Sequence, residues 1–158
     1  MEEPVLNSPK KNYNAPSHTA EHILNRTMDN MFGCGRAFSA HIEEKKSKCD
    51  YRFADAAKVP DMQQLAAVEN KVNEIIQQNL PVTAKICTRE EAAKVADLSK
   101  LPPDASEMLR LVCVGDYDVC PCIGLHVENT SQIGKFRIIS SSYEDGVLRL
   151  RWKLVKDN

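Results

Sequence analysis

The chain has 158 residues, of which 42% are hydrophobic and 27% charged, and its formal net charge is −1. That length supports one buried core of ordinary soluble composition. The charge excludes a nucleic-acid binder held by bulk positive charge, though not one with a local basic patch. No apolar run approaches the ~20 residues a membrane span needs, and the opening MEEPVLNSPKK lacks the apolar centre of a signal peptide. The expectation is therefore a soluble, cytoplasmic protein. Its six cysteines (Cys34, Cys49, Cys87, Cys113, Cys120, Cys122) then bind metal or pack rather than pair.

Residues 1–14 read as an extended lead-in, and residues 15–158 as a single domain. A helix is predicted from Pro16 to Phe32, capped by Asn14 or Ser17 and ended by Gly33 and Gly35. Ala20, Leu24, Met28 and Met31 form its apolar stripe. Strands follow at Ala37–Ile42 and Lys48–Phe53, joined by the polar loop Glu43–Ser47. A second helix spans Asp61–Gln78, opened by an Asp61/Gln64 capping box, with Leu65, Val68, Val72, Ile75 and Ile76 facing the core. Pro81 stops it. A strand at Val82–Cys87 leads to a short helix from Thr88, again with a capping-box glutamate, Glu91. Lys100–Ser106 is a Pro-Pro loop and Met108–Val114 a strand. Gly115–Thr130 reads as irregular. Strands at Lys135–Ser140 and Val147–Val155 flank an Asp145-Gly146 turn. Cys87 and Cys113, in apolar strand-like runs, are expected in the core, and Cys34 and Cys49 are expected to pack. Strands grouped with helices among them predict an α+β domain, a mostly antiparallel sheet covered by helices.

Two short spacings carry chemistry. His18 and His22 lie four apart on the first helix, so both imidazoles share one face. Zinc proteases use this spacing with a glutamate after the first histidine. Here that place is Thr19, and the nearby acid is Glu21. About a hundred residues later, Cys122 and His126 are again four apart, in CPCIGLHV. Imidazole and thiolate are the donors zinc prefers, so the two pairs together point to one metal site. Cys120 competes with Cys122 for the thiolate place.

The segments HTAEHIL (18–24), VENKVNEIIQQNLPV (68–82) and CIGLHVENTSQIGKFRI (122–138) resemble the editing domain of alanyl-tRNA synthetase, and most of all its small free-standing relatives, the alanyl-tRNA editing proteins. The resemblance covers about residues 16–155. It implies the synthetase second-additional-domain (editing domain) fold and Zn2+ held by His18, His22, Cys122 and His126. It also implies hydrolysis, in trans, of serine or glycine wrongly esterified to tRNA(Ala), with tRNA as partner and no nucleotide cofactor. Only 17 residues precede His18, so the synthetase catalytic domain and the extra N-terminal domain of larger editors are expected to be missing. One departure stands out: Leu125 occupies the place of a common threonine. The related editing domain of threonyl-tRNA synthetase has a similar H-x-x-x-H and C-x-x-x-H pattern, so serine removal from tRNA(Thr) is an alternative. A non-catalytic, zinc-stabilised RNA-binding or synthetase-associated module is another.

Within this frame Glu21 is a candidate base. Ser39, where the resemblance places a small hydroxyl residue, is a candidate reader of the serine side chain, with His41 as its alternative. Leu148, Leu150, Trp152 and Leu154 alternate with Arg149, Arg151 and Lys153, giving one core face and one basic face. With Lys45, Lys46 and Lys48, those cations are the candidate tRNA contacts.

Overall fold

The computed structural model describes residues 14–96, 98 and 107–156. Helix α1 (Ala15–Phe32) begins where the Asn14 side chain accepts the Ser17 N–H, with Pro16 in the first turn. It ends at Gly33, whose φ of 64° is left-handed and lets its N–H reach the Asp29 carbonyl. Then come β1 (Ser39–His41), β2 (Ser47–Arg52), a 3-10 turn (Ala56–Lys58), α2 (Met62–Gln77), β3 (Val82–Thr88) and α3 (Arg89–Ala93). After these follow β4 (Met108–Val114), β5 (Asp118–Pro121), a second 3-10 turn (Thr130–Gln132), β6 (Lys135–Glu144) and β7 (Val147–Val155). Both expected capping boxes form, Asp61 with Gln64 and Thr88 with Glu91.

The architecture is α+β, but the strands form two antiparallel sheets rather than one. The larger has the order β1-β2-β7-β6 and the smaller β3-β4-β5. The alternation along β7 sorts as expected: Leu148, Leu150 and Trp152 are buried with Cys49 and Tyr51 of β2 and Phe136 of β6. Across this inner face lie Ala20, Ile23, Leu24 and Met28 of α1 and Val68, Val72, Ile75 and Ile76 of α2, in one continuous core. Each fully buried Leu or Phe contributes roughly 1.5–3 kcal/mol. A smaller cluster of Cys87, Ala92, Leu109 and Leu111 serves the second sheet.

Several expectations change. Met31 is exposed, and Ile23 takes a core place instead. Cys113 is only half-buried, because it alternates with the inward-facing Val112 and Val114. The first strand shortens to three residues, the final hairpin lengthens to Glu144, and the stretch read as irregular contains β5. The hairpin turn holds as expected, with Asp145 and Gly146 both at positive φ between strands of opposite direction. Lys100–Ser106 lies outside the described residues, as does nearly all of the lead-in.

Two devices fix β6. Its free edge is bonded by α2: Asn73 both donates to the Phe136 carbonyl and accepts its N–H at 2.8 Å, and Glu69 accepts the Ile138 N–H. These bonds close a row of backbone groups that would otherwise invite another strand. At its start, a Cβ on Gly134 (φ 91°) would stand 2.9 Å from the Val155 carbonyl, so only glycine fits.

On the outer face of the large sheet, Asp50 and Arg149 are cross-strand partners joined by two hydrogen bonds, at 2.8 and 2.9 Å. The Arg149 bonds hold the Asp50 carboxyl below its ordinary range. A carboxylate depressed in the folded state adds stability above its unfolded pKa, near 4, and loses it as pH falls through the folded value. Asp50→Asn is therefore expected to be less stable than the parent at pH 7. Urea denaturation at pH 7 and pH 3 should show that gap narrowing in acid, and an unchanged gap would reject the assignment.

Candidate metal centre

Helix α1 is buried on nearly all sides. Besides its apolar face it buries Ser17, His18, Thr19, His22, Asn25 and Thr27. Burying polar groups costs free energy unless each is bonded, and distant parts of the chain supply the partners. Asn25 accepts from the Tyr51 hydroxyl at 2.8 Å and from the Ala37 N–H at 3.1 Å. Thr27 and Tyr117 share a 2.6 Å hydroxyl contact.

The histidines meet the loop after β5. His18, His22, Cys122 and His126 each present a ligand atom, and these atoms all lie within 4.8 Å of one another. The His18 and His126 rings stack at 4.2 Å, and the His22 ring stands edge-on to both. Cys122 Sγ is 3.4 Å from His18 Nε2. The thiolate place is thus filled by Cys122, while Cys120 stays outside the four. Cys34 bonds backbone carbonyls and Cys49 packs under Trp152, so neither joins.

Hydrogen-bond arithmetic sets the tautomers. Thr19 has one hydroxyl hydrogen, which goes to the Ala15 carbonyl at 3.0 Å. It must therefore accept from His126 Nδ1, 2.9 Å away, as it accepts from the Val127 N–H at 3.2 Å. The proton lies on Nδ1 and the lone pair on Nε2, a buried atom with no hydrogen-bond partner among the described residues. His18 Nδ1 faces the Leu125 carbonyl at 3.1 Å, which can only accept, so Nε2 again carries the lone pair. His22 Nδ1 stands at ion-pair distance, 3.5 Å, from Asp118 Oδ2 and makes no hydrogen bond among the described residues. Carbonyl, hydroxyl and carboxylate partners behind the imidazoles are the outer-shell pattern of metal-binding histidines. An N/S donor set with an orphaned, inward-facing Nε2 fits zinc.

Asp118, at the start of β5, is almost fully buried and binds two guanidinium groups. Arg26 Nε reaches Oδ1 at 3.0 Å, and Arg36 makes a fork at 2.7 and 3.2 Å. Burial opposes its charge, but His22 and Arg36 overcome this and hold the carboxyl well below the usual range. For Cys122, burial likewise raises the thiol, and the facing imidazoles of His126, His18 and His22 bring it down to about 3. The ligand loop is clamped by Arg110, which donates to the carbonyls of Cys122 and Gly124, while the Gly124 N–H points at Sγ.

The remaining sequence candidates fall elsewhere. Glu21 is half-buried outside the four-residue cluster, and its charge is felt by Arg36, Tyr51 and Cys49. Ser39 and His41 are exposed on β1 either side of the inward Ala40, with His41 bonded to Glu43 at 2.8 Å. Lys45 and Lys46 are exposed in the loop before β2, Arg151 is exposed and Lys153 half-buried. Arg149 spends its charge on Asp50. Thr19, Arg26, Arg36, Arg110 and Asp118 were not anticipated. The one available signal was the alternation Asp118-Val119-Cys120-Pro121, which marks a strand carrying a carboxylate toward the cysteines.

Residues 109–151, spanning most of β4 through most of β7 and the Cys122–His126 loop, match the family described as threonyl and alanyl tRNA synthetase second additional domain. The chain resembles a synthetase second additional domain over that segment. It is similar to the alanine–tRNA ligase of Caldicellulosiruptor saccharolyticus (33% identical over 135 residues, 85% of this chain and 15% of that protein). The corresponding ligases of Halalkalibacterium halodurans (34% identical, 80% and 14%) and Methanocella arvoryzae (30% identical, 88% and 16%) match similarly. The chain thus spans about 15% of the length of the curated relatives it matches. Among the described residues, no helix is long and apolar enough to cross a membrane.

If Thr19 holds His126 in its ligand tautomer, Thr19→Val removes the acceptor for Nδ1–H while keeping the shape. Zinc affinity, measured by competition with a chromophoric chelator, is expected to fall about 10–100-fold, the usual effect of losing an outer-shell partner. Unaltered affinity would show that the hydroxyl only caps the backbone.

Proposed function

We propose that this protein binds one zinc ion through His18, His22, Cys122 and His126 and hydrolyses the ester between a wrong amino acid and its tRNA. The proposed substrates are Ser-tRNA(Ala) and Gly-tRNA(Ala), acted on in trans. The observation carrying this reading is the buried N/S donor cluster with its imidazole tautomers preset toward one point. The likeness to alanine–tRNA ligases and the second-additional-domain match give it a substrate class.

Bound zinc supplies a Lewis acid that polarises a carbonyl or lowers the pKa of water. With four protein donors such a site would be of the closed kind, and other side chains would then handle the water and the acyl group. Glu21, one residue before His22 and half-buried, is the proposed proton acceptor. The proposed reader of the serine hydroxyl is Ser39. Its side chain is exposed on β1, so a serine can meet it only from the open side of that strand. A site that bonds a hydroxyl rejects alanine when the bound acyl group shuts water out and leaves the site's own polar group unpaired. The Leu125 side chain points largely to solvent, 65% exposed, while its carbonyl holds His18. Replacing threonine there therefore leaves the ligand geometry intact, because the contact is made by backbone.

Incubation with Ser-tRNA(Ala), Gly-tRNA(Ala), Ser-tRNA(Thr) and Ala-tRNA(Ala), with and without chelator, tests the proposal. Cleavage of the first two, lost on chelation, is expected. Zinc and tRNA bound with no ester cleaved would reduce the protein to a binding module, and cleavage of Ser-tRNA(Thr) alone would move it to the threonine system. With zinc content unchanged, Glu21→Gln should lower kcat about 100-fold. Ser39→Val should lower Ser-tRNA(Ala) cleavage about tenfold while sparing Gly-tRNA(Ala). Equal loss on both esters would remove the side-chain-reading role.

A further inference from the structure

The large sheet has one face against the helices and the other open. On the open face the registers set Lys48 beside Arg151 and Lys153 beside Arg137. Neighbouring strands lie about 4.8 Å apart, and alternate residues on one strand about 7 Å. Lys48, Arg151, Lys153, Arg137 and Lys135 therefore form one continuous cationic stripe in steps of about 5–7 Å. Arg151, Arg137 and Lys135 are exposed, and none of the five has an ion-pair partner among the described residues. Three carboxylates share or border the face among the described residues: Asp50, taken by Arg149, Glu43, bonded to His41 beside Lys48, and Glu144, at the far hairpin end. Ser140 and Ser142, exposed on β6, stand opposite Arg151 and Arg149 and add hydroxyl donors.

This charge is far from the average of a chain whose net charge is −1. An open, mainly cationic surface lined by long flexible side chains and hydroxyls suits a polyanion whose charges repeat, and positions it without reading sequence. We propose that the outer face of the β1-β2-β7-β6 sheet docks the phosphate backbone of an RNA. This rests on the tRNA reading above and deepens it by saying where the RNA lies. It revises the sequence-based contact set: Arg149 is spent on Asp50, Lys45 and Lys46 stand outside the stripe in the loop before β2, and Lys135 and Arg137 join Lys48, Arg151 and Lys153.

The face also leads toward the metal centre. Lys48 is in register with His41 on the edge strand β1. Three residues before Ser39, a chain span of at most about 11 Å, Arg36 binds Asp118, which stands behind His22. At that edge Phe38 is exposed, with the Arg52 guanidinium 4.1 Å above its ring. An RNA on the stripe whose end crosses β1 meets an aromatic surface and then the segment bonded to the centre.

The test is binding of unacylated tRNA by fluorescence anisotropy from 50 to 200 mM KCl. Parent protein is compared with Arg137→Ala/Arg151→Ala/Lys153→Ala and with Lys85→Ala/Lys94→Ala, which removes exposed charge elsewhere. Each lost phosphate contact lowers the slope of log affinity against log salt by about one. The triple variant should lose about three, and the control none. Arg137→Lys/Arg151→Lys, which keeps the charges, should retain the slope, separating charge from misfolding. An unchanged slope in the triple variant overturns the proposal, as does equal loss in the control. Binding to phosphatidylserine vesicles through these residues, without tRNA binding, also overturns it. A lost slope in a protein that cleaves no ester would keep the docking face and reject the hydrolase reading. Ester cleavage with an unchanged slope would do the reverse.

Discussion

The Thr19 hydroxyl has a single hydrogen, and where it goes settles much of the rest. Given to the Ala15 carbonyl, it leaves the oxygen to accept from both His126 Nδ1 and the Val127 N–H. One side chain thus fixes a ligand tautomer and pins the loop that carries it to the first turns of α1. The same constraint recurs along the helix. Every polar group that α1 buries must find a partner, because leaving it unpaired costs about 1–3 kcal/mol. The partners at Tyr51, Tyr117, Asp118 and Leu125 all come from later chain. The seam is therefore both the site and a register device, which can dock α1 in one position only. An apolar seam of similar area would slide more freely.

What could be read in the sequence follows from how local each cause is. Capping boxes, the αL glycine after α1, the Asp145-Gly146 turn and the period-two alternation of β7 depend on a few neighbouring residues, and all of them hold. The two residue pairs also come together, His18 and His22 on one face of α1 because they are four apart, and Cys122 and His126 from the loop after β5. Strand β5 is short, ends in proline and gains its pairing from β4, so its signal lies mostly outside itself. The division into two sheets is likewise a matter of which strands meet. Arg26, Arg36 and Arg110 were invisible for the same reason: nothing near them in sequence distinguishes an arginine bonded to a buried carboxylate or a loop carbonyl from one in water.

Asp118 shows how the outer layer is balanced. A buried carboxylate facing one neutral histidine would be costly. His22 and Arg36 offset its burial and leave it ionised, with Arg26 bonded alongside. The charge of the two arginines is in turn absorbed by Asp118, so the centre sees an oriented carboxylate rather than bare cations. Loss of either arginine would leave the carboxylate less compensated, which ties the integrity of β5 to the segment just before β1.

That segment is where site and surface join. Net charge sums over the whole molecule, and a value near zero is compatible with any arrangement of its parts. Strand geometry does the sorting: alternate residues of β7 point to opposite sides, so its cations all stand on the face its leucines avoid, and antiparallel register brings those of β2 and β6 alongside. A single neutralised pair, Asp50 with Arg149, interrupts the stripe on the row shared with Ser39, not at the end where Lys48 meets His41. The cationic rows and the segment bonded to Asp118 therefore reach the same edge strand, the rows at its His41 end and the segment just before its Ser39 end.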